Sequence, residues 1–126
     1  MAKVNIISGC YERFVLGHEL KQIDKEEGQG PKSIHIRQQF AVKAHQGPVR
    51  CVRAKGGLLA SGGDDDCVRV YDLVHGKDLG TLVKHEGTVT SLDIYRNHES
   101  ERPTHLFSAG VDGNVNVWKI KVKHSE

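Results

Sequence analysis

The feature that most constrains the fold is a repeat within the chain. Ala44-His45-Gln46-Gly47-Pro48-Val49 returns as Lys84-His85-Glu86-Gly87-Thr88-Val89, 40 residues later. Leu59 to Asp72 then matches Leu106 to Lys119 at an offset of 47. The seven extra residues fall around Asn97 to Pro103, a polar stretch ending in proline, where a surface loop accommodates an insertion at least cost. A period of this length predicts repeated supersecondary units, each too small to bury its own apolar face and therefore stacked on its neighbours.

Inside each unit the apolar period is two, which marks strands. Val68 and Val70 alternate with Arg69, as Val115 and Val117 do with Asn116. The pattern predicts strands at about 49–54, 58–61, 67–71 and 79–83, then at about 89–95, 105–108 and 115–120, with Gly/Asp-rich hairpin turns such as Asp112-Gly113. Ile7 to Leu16 is similar to the hairpin Ala60 to Arg69, with Glu12 where Asp65 stands, and reads as a degenerate repeat. Lys21 to Lys32 is polar and turn-rich and reads as a loop before a strand at about 34–42. The predicted organisation is a degenerate hairpin, loop and strand over 1–43, one repeat over 44–83, and a second over 84–126 that lacks its last strand. No helix is predicted.

Composition narrows the function classes. With 126 residues, 37% of them hydrophobic, the chain supports one small globular domain and excludes a disordered or collagen-like polymer. The balance of 18 basic against 16 acidic side chains lacks the marked excess of a charge-driven nucleic-acid binder. No apolar run has signal-peptide or membrane-spanning length, so an intracellular protein without a membrane role is expected. Cys10, Cys51 and Cys67 are odd in number and form no C-x-x-C pair, which argues against a disulfide framework and a zinc ribbon. Cys51 and Cys67 lie in strand contexts and are expected as buried thiols.

Each repeat carries His, Ser, Asp and an aromatic at matching places: His45, Ser61, Asp65 and Tyr71, then His85, Ser108, Asp112 and Trp118. These residues resemble the WD40 repeat, whose signature is a histidine near the start and Trp-Asp at the end of the unit. The resemblance implies an all-β fold of β-propeller blades, each an antiparallel four-stranded unit, with about two to three blades in this length. It also implies that the four side chains form a buried structural tetrad: the histidine bridges aspartate and serine, and the indole N–H donates to the serine hydroxyl. The chain departs from the signature by ending one repeat in Tyr71-Asp72 and the other in Trp118-Lys119, and by placing Ala44 and Lys84 before the histidines. A tyrosine hydroxyl cannot be assumed to make the bond of the indole.

A hydrolase reading of the same trio fails on context. The Gly-x-Ser-x-Gly turn is missing at both Ser61 and Ser108, and a trio that occurs twice at the same place is what a structural motif predicts. Catalytic residues, cofactor, metal and small-molecule substrate are therefore not expected. Asp64-Asp65-Asp66 reads as a turn former, because no downstream glutamate completes a calcium loop. Gly76-Lys77 lacks the flanking residues of a phosphate-binding loop and reads as an ordinary turn. His75, His98 and His105 have no partner at ligand spacing and are expected in loops or in solvent. Lys119, Lys121 and Lys123 alternate with Ile120 and Val122, which reads as an edge strand guarded by lysines, with contact to RNA or an acidic partner as the alternative.

A narrower resemblance lies in the opening Ile7-Ser8-Gly9-Cys10-Tyr11-Glu12 with Phe14, Leu16 and Gly17, and in the order of parts down to Lys84-His85-Glu86-Gly87-Thr88-Val89-Thr90. It is similar to the opening of the PAK-interacting WD-repeat family, whose fungal relatives are large-ribosomal-subunit assembly factors. What it implies is a nuclear or nucleolar scaffold for pre-rRNA maturation, with pre-ribosomal assembly factors as partners and RNA nearby. The alternative it implies is a cytoplasmic regulator that binds and inhibits a PAK-type kinase. Gln46, Asp64, Glu86 and Val111 are the candidate partner contacts, at loop tips. Since propellers close with 4 to 8 blades, a fragment of a longer protein is expected ahead of a short isoform.

Overall fold

The computed structural model describes residues 3–23 and 33–121. Ten strands form three antiparallel sheets, and no helix occurs among the described residues. Sheet 1 comprises β1 (Lys3–Gly9), β2 (Phe14–Ile23) and β3 (Ser33–Lys43). Sheet 2 comprises β4 (Val49–Lys55), β5 (Leu58–Gly63), β6 (Cys67–Asp72) and β7 (Lys77–Val83), in that order. Sheet 3 comprises β8 (Val89–Tyr95), β9 (His105–Gly110) and β10 (Val115–Lys119).

Sheet 2 is the centre, and β5 shows why. Leu58-Leu59-Ala60-Ser61-Gly62-Gly63 is buried at every position, so it carries no polar-apolar alternation: both faces are covered. Leu58 and Ala60, with Val68 of β6, pack against Val89, Ile94 and Leu106 of sheet 3. Leu59 faces the other way and packs with Val15 and Val49, joined by Ile7, Phe40, Val42 and Tyr71. Leu59 and Leu106 are fully removed from water, each worth roughly 1.5–3 kcal/mol of burial. Small residues set the spacing. A Cβ on Gly62 would lie 2.5 Å from Val89 Cγ1, and one on Gly17 would lie 2.2 Å from the Phe40 ring.

The hairpin turns of the two repeats match in backbone as well as sequence. Asp66 and Gly113 occupy equivalent turn positions with φ of 66° and 79°. Glycine takes this left-handed conformation freely, and aspartate is among the few other residues that tolerate it.

Several sequence expectations change. The hairpin read over 7–16 is longer, because β1 pairs with β2 from Lys3↔Lys21 to Gly9↔Val15 and β3 then adds a third strand. Lys21 to Ile23, read as the start of the polar loop, belongs to β2; residues 24–32 of that loop lie outside the described residues. β7 begins at Lys77 rather than Leu79, because Asp72↔Lys77 and Tyr71↔Asp78 extend the pairing toward the turn. β10 ends at Lys119, with Lys121 beyond it and Lys123 outside the described residues. His105 is in neither a loop nor solvent: it stands on β9 opposite Tyr95, its ring 6.0 Å from the tyrosine ring and its Nδ1 2.9 Å from Thr104 Oγ1. Cys51 and Cys67 are half-buried rather than sealed.

Candidate functional site

The loops that enter β4 and β8 and the turns that join β5 to β6 and β9 to β10 meet at one end of the sheets, tied by side-chain to backbone bonds. His45 Nδ1 lies 2.9 Å from Asp65 Oδ1, and its Nε2 lies 2.8 Å from Ser61 Oγ. In the second repeat His85 Nδ1 lies 3.1 Å from Asp112 Oδ2, and its Nε2 lies 2.8 Å from Ser108 Oγ. A carboxylate only accepts, so each Nδ1 carries the proton and each Nε2 accepts from the serine hydroxyl. The aspartates also receive backbone donors: Gln46 N–H bonds Asp65 at 2.9 Å and Glu86 N–H bonds Asp112 at 3.0 Å. This is how a hairpin turn fixes the loop preceding its own sheet.

The aromatic members differ. Trp118 Nε1 donates to Ser108 Oγ at 3.0 Å, completing a chain from indole to carboxylate. The Tyr71 hydroxyl makes no hydrogen bond to Ser61 or to any other described residue. Asn116, which the sequence did not single out, places its Nδ2 3.1 Å from His85 Nε2.

Burial opposes the charge on Asp65, but the bonds from Gln46 N–H, His45 and Cys67 N–H outweigh it and hold the carboxyl below the usual range. The Glu86 N–H, with help from Asn114 N–H and His85, brings Asp112 down to about 2. Ser61 and Ser108 are sealed from solvent, at 0% and 1% exposed, so neither hydroxyl is presented to a substrate.

At the loop tips, Gln46, Glu86 and Val111 are exposed, while Asp64 is half-buried. Asp64 accepts two bonds from the Arg50 guanidinium, at 2.8 and 2.7 Å, and one from Thr88 Oγ1 at 3.0 Å. The Arg50 bonds hold its carboxyl below the ordinary value. Asp64 therefore links β4 of sheet 2 to the loop entering sheet 3. Sequence reasoning missed Arg50 and Thr88; the only signal was that both precede or begin the first strand of a unit. Among the described residues no group of three or more His, Cys, Asp or Glu side chains is placed to hold a metal ion. His75 bonds Asp72 rather than any ligand cluster, at 2.7 Å.

The family model described as "WD domain, G-beta repeat" matches residues 36–72 and 76–119. The first match runs from β3 through β6 and the second from just ahead of β7 through β10, so each sequence repeat takes in the outermost strand of one sheet and three strands of the next. Protein MAK11 of Saccharomyces cerevisiae is 32% identical over 126 residues, covering 92% of this chain and 30% of that protein. The p21-activated protein kinase-interacting protein 1-like of Danio rerio is 29% identical over 118 residues, covering 94% of this chain and 28% of its own. The chain thus spans less than a third of the length of these relatives. Solved structures described as U3-55K and as RRP9 WD40 repeats each superpose with a TM-score of 0.64 at 23% identity, covering 92% of this chain and 31% and 30% of theirs. That likeness speaks to fold alone. With the repeat model covering most of its strands and a buried His–Ser–Asp network in each of two sheets, the chain belongs to the WD40 repeat family.

Proposed function

We propose that this chain is part of a non-enzymatic WD-repeat scaffold that acts in large-subunit pre-rRNA maturation in the nucleolus, with pre-ribosomal assembly factors as its partners. The observation that carries the reading is similarity over 92% of the chain to MAK11, joined to the resemblance of its opening segment to an assembly-factor family. Two structural features support the scaffold role. The only Ser-His-Asp constellations among the described residues are sealed inside the sheets, and the exposed tips Gln46, Glu86 and Val111 stand together at one end, each held by a backbone bond to its neighbouring loop.

A second reading is favoured by the names of several relatives, which describe p21-activated kinase-interacting proteins. In it the same scaffold binds and restrains a PAK-type kinase. Sedimentation of nuclear extract, followed with an antibody against the chain, separates the two. Co-migration with pre-60S particles is expected; absence from them with retained capture of the kinase would replace the first reading by the second.

A further inference from the structure

Tyr71 and Trp118 are register equivalents: Tyr71 stands across from Leu59 and Trp118 across from Leu106. Between sheets 2 and 3 the indole packs against the core and bonds Ser108. Between sheets 1 and 2, where Tyr71 replaces it, a cavity of about 260 Å³ remains. Its floor is apolar, built from Ile7, Phe40, Val42 and Leu59, and the Phe40 ring lies flat against the strand because Gly17 has no side chain. A cavity of ~150 Å³ with such walls accepts a benzene ring, so this one has room for a ring and its linker.

Four polar groups at this cavity lack side-chain partners among the described residues: the Asn5 amide, the Tyr71 hydroxyl, the Lys77 ammonium and the His18 imidazole. The Tyr71 hydroxyl is also not sealed, since among the described residues the one buried side-chain polar atom without a bond is Arg69 Nε. Asp72 lines the same rim, but its two oxygens are occupied by Val74 N–H, His75 N–H and His75 Nδ1. Lys77 is therefore the charged side chain at the rim left without a partner, standing beside the hydrogen-bonded Asp72 carboxylate. β3 and β7, which contribute to the wall, are the outermost strands of their sheets and, among the described residues, keep one edge of backbone donors and acceptors unpaired.

We propose that this inter-sheet cavity takes one aromatic side chain from an extended segment of a partner protein, with an adjacent acidic residue meeting Lys77 and the segment backbone lying along a free strand edge. The proposal deepens the scaffold reading by assigning a site and a ligand chemistry to it. It does not depend on which particle or kinase the protein joins, so the sedimentation result and the binding result fail separately.

The test is fluorescence anisotropy on the folded chain with a dye-labelled hexapeptide, Ser-Gly-Phe-Glu-Gly-Ser, beside versions carrying Ala for Phe or Gln for Glu. Saturable binding of the Phe-Glu peptide is expected, weakened at least tenfold by either replacement. Lys77→Glu, at an exposed position whose folding is checked by circular dichroism, is expected to abolish the preference for Glu over Gln while leaving the Phe-Gln peptide unchanged. Tyr71→Trp, which fills the cavity, is expected to weaken both peptides. Equal binding of the Phe and Ala versions, or an unchanged preference in Lys77→Glu, would overturn the proposal. Phenylacetate binding as tightly as the peptide would also overturn it, reassigning the cavity to a small molecule.

Discussion

Trp118 donates its indole N–H to Ser108 at 3.0 Å, whereas Tyr71, at the equivalent place one sheet earlier, leaves Ser61 with His45 alone. The two networks therefore differ in how many partners a serine satisfies. Ser108→Ala strands the half-buried indole donor and removes one donor from His85, for which Asn116 compensates in part. Ser61→Ala removes only the donor to His45. The expected losses are about 2 to 3 kcal/mol for Ser108→Ala and about 1 to 2 kcal/mol for Ser61→Ala, read from urea denaturation midpoints. Equal losses would mean that the indole bond contributes nothing.

Gly62 of sheet 2 lies in close contact with Val89 of sheet 3. A Cβ there would sit 2.5 Å from Val89 Cγ1 and 2.7 Å from Cys51 Sγ, distances that force a shift in a strand buried on both faces. Gly62→Ala is expected to destabilise by about 1 to 3 kcal/mol. Combining it with Val89→Ala, which removes Cγ1, the nearest of the atoms met, is expected to cost less than the sum of the two single changes. An additive double mutant, measured by the same denaturation, would show that the clash is relieved elsewhere.

How much of this was legible beforehand depends on which link carried the information. Strands such as β6 follow from period-two alternation, and the joint placement of His45 with Ser61 and of His85 with Ser108 is what the resemblance to the WD40 repeat implied. Sheet 1 was less legible, because β3 is exposed along most of its length and burial imposes little alternation on its residues. The contacts of Asp64 could not be read, since Arg50 and Thr88 reach it from other strands and nothing local in sequence marks them. The cavity beside Tyr71 is a property of two sheets packed together; the sequence showed only that the aromatic had changed.

The acid behaviour of Asp112 follows from its bonds. Its carboxyl lies at about 2 in the folded chain, against about 3.9 for an unperturbed aspartate. A depressed folded value means that the unfolded chain binds the proton more readily. The contribution is therefore complete above pH ~4 and lost as pH falls toward ~2. Stability should fall across this window, and Asp112→Asn should flatten the fall while lowering stability at neutral pH. Denaturation curves collected from pH 6 to pH 2 check both; an unchanged slope in Asp112→Asn would assign the acid loss to other carboxylates.

Cys51 reports whether sheets 2 and 3 part in solution. Its thiol is half-buried between them, donates to the Val89 carbonyl at 3.5 Å, and is pushed by burial up to about 11. The thiolate is the reactive form, so at pH 8 a thiol held this high reacts roughly a hundredfold more slowly than an ordinary one near 8.5. Iodoacetamide labelling followed by peptide mass spectrometry is therefore expected to spare Cys51 in the folded chain and to modify it in urea. Gly62→Ala, which strains the same interface, should raise the folded-state rate toward the ordinary value. Rapid labelling of Cys51 in the unaltered chain would mean that the two sheets separate on the timescale of the reaction and that the packing around Leu58, Val68 and Ile94 is transient.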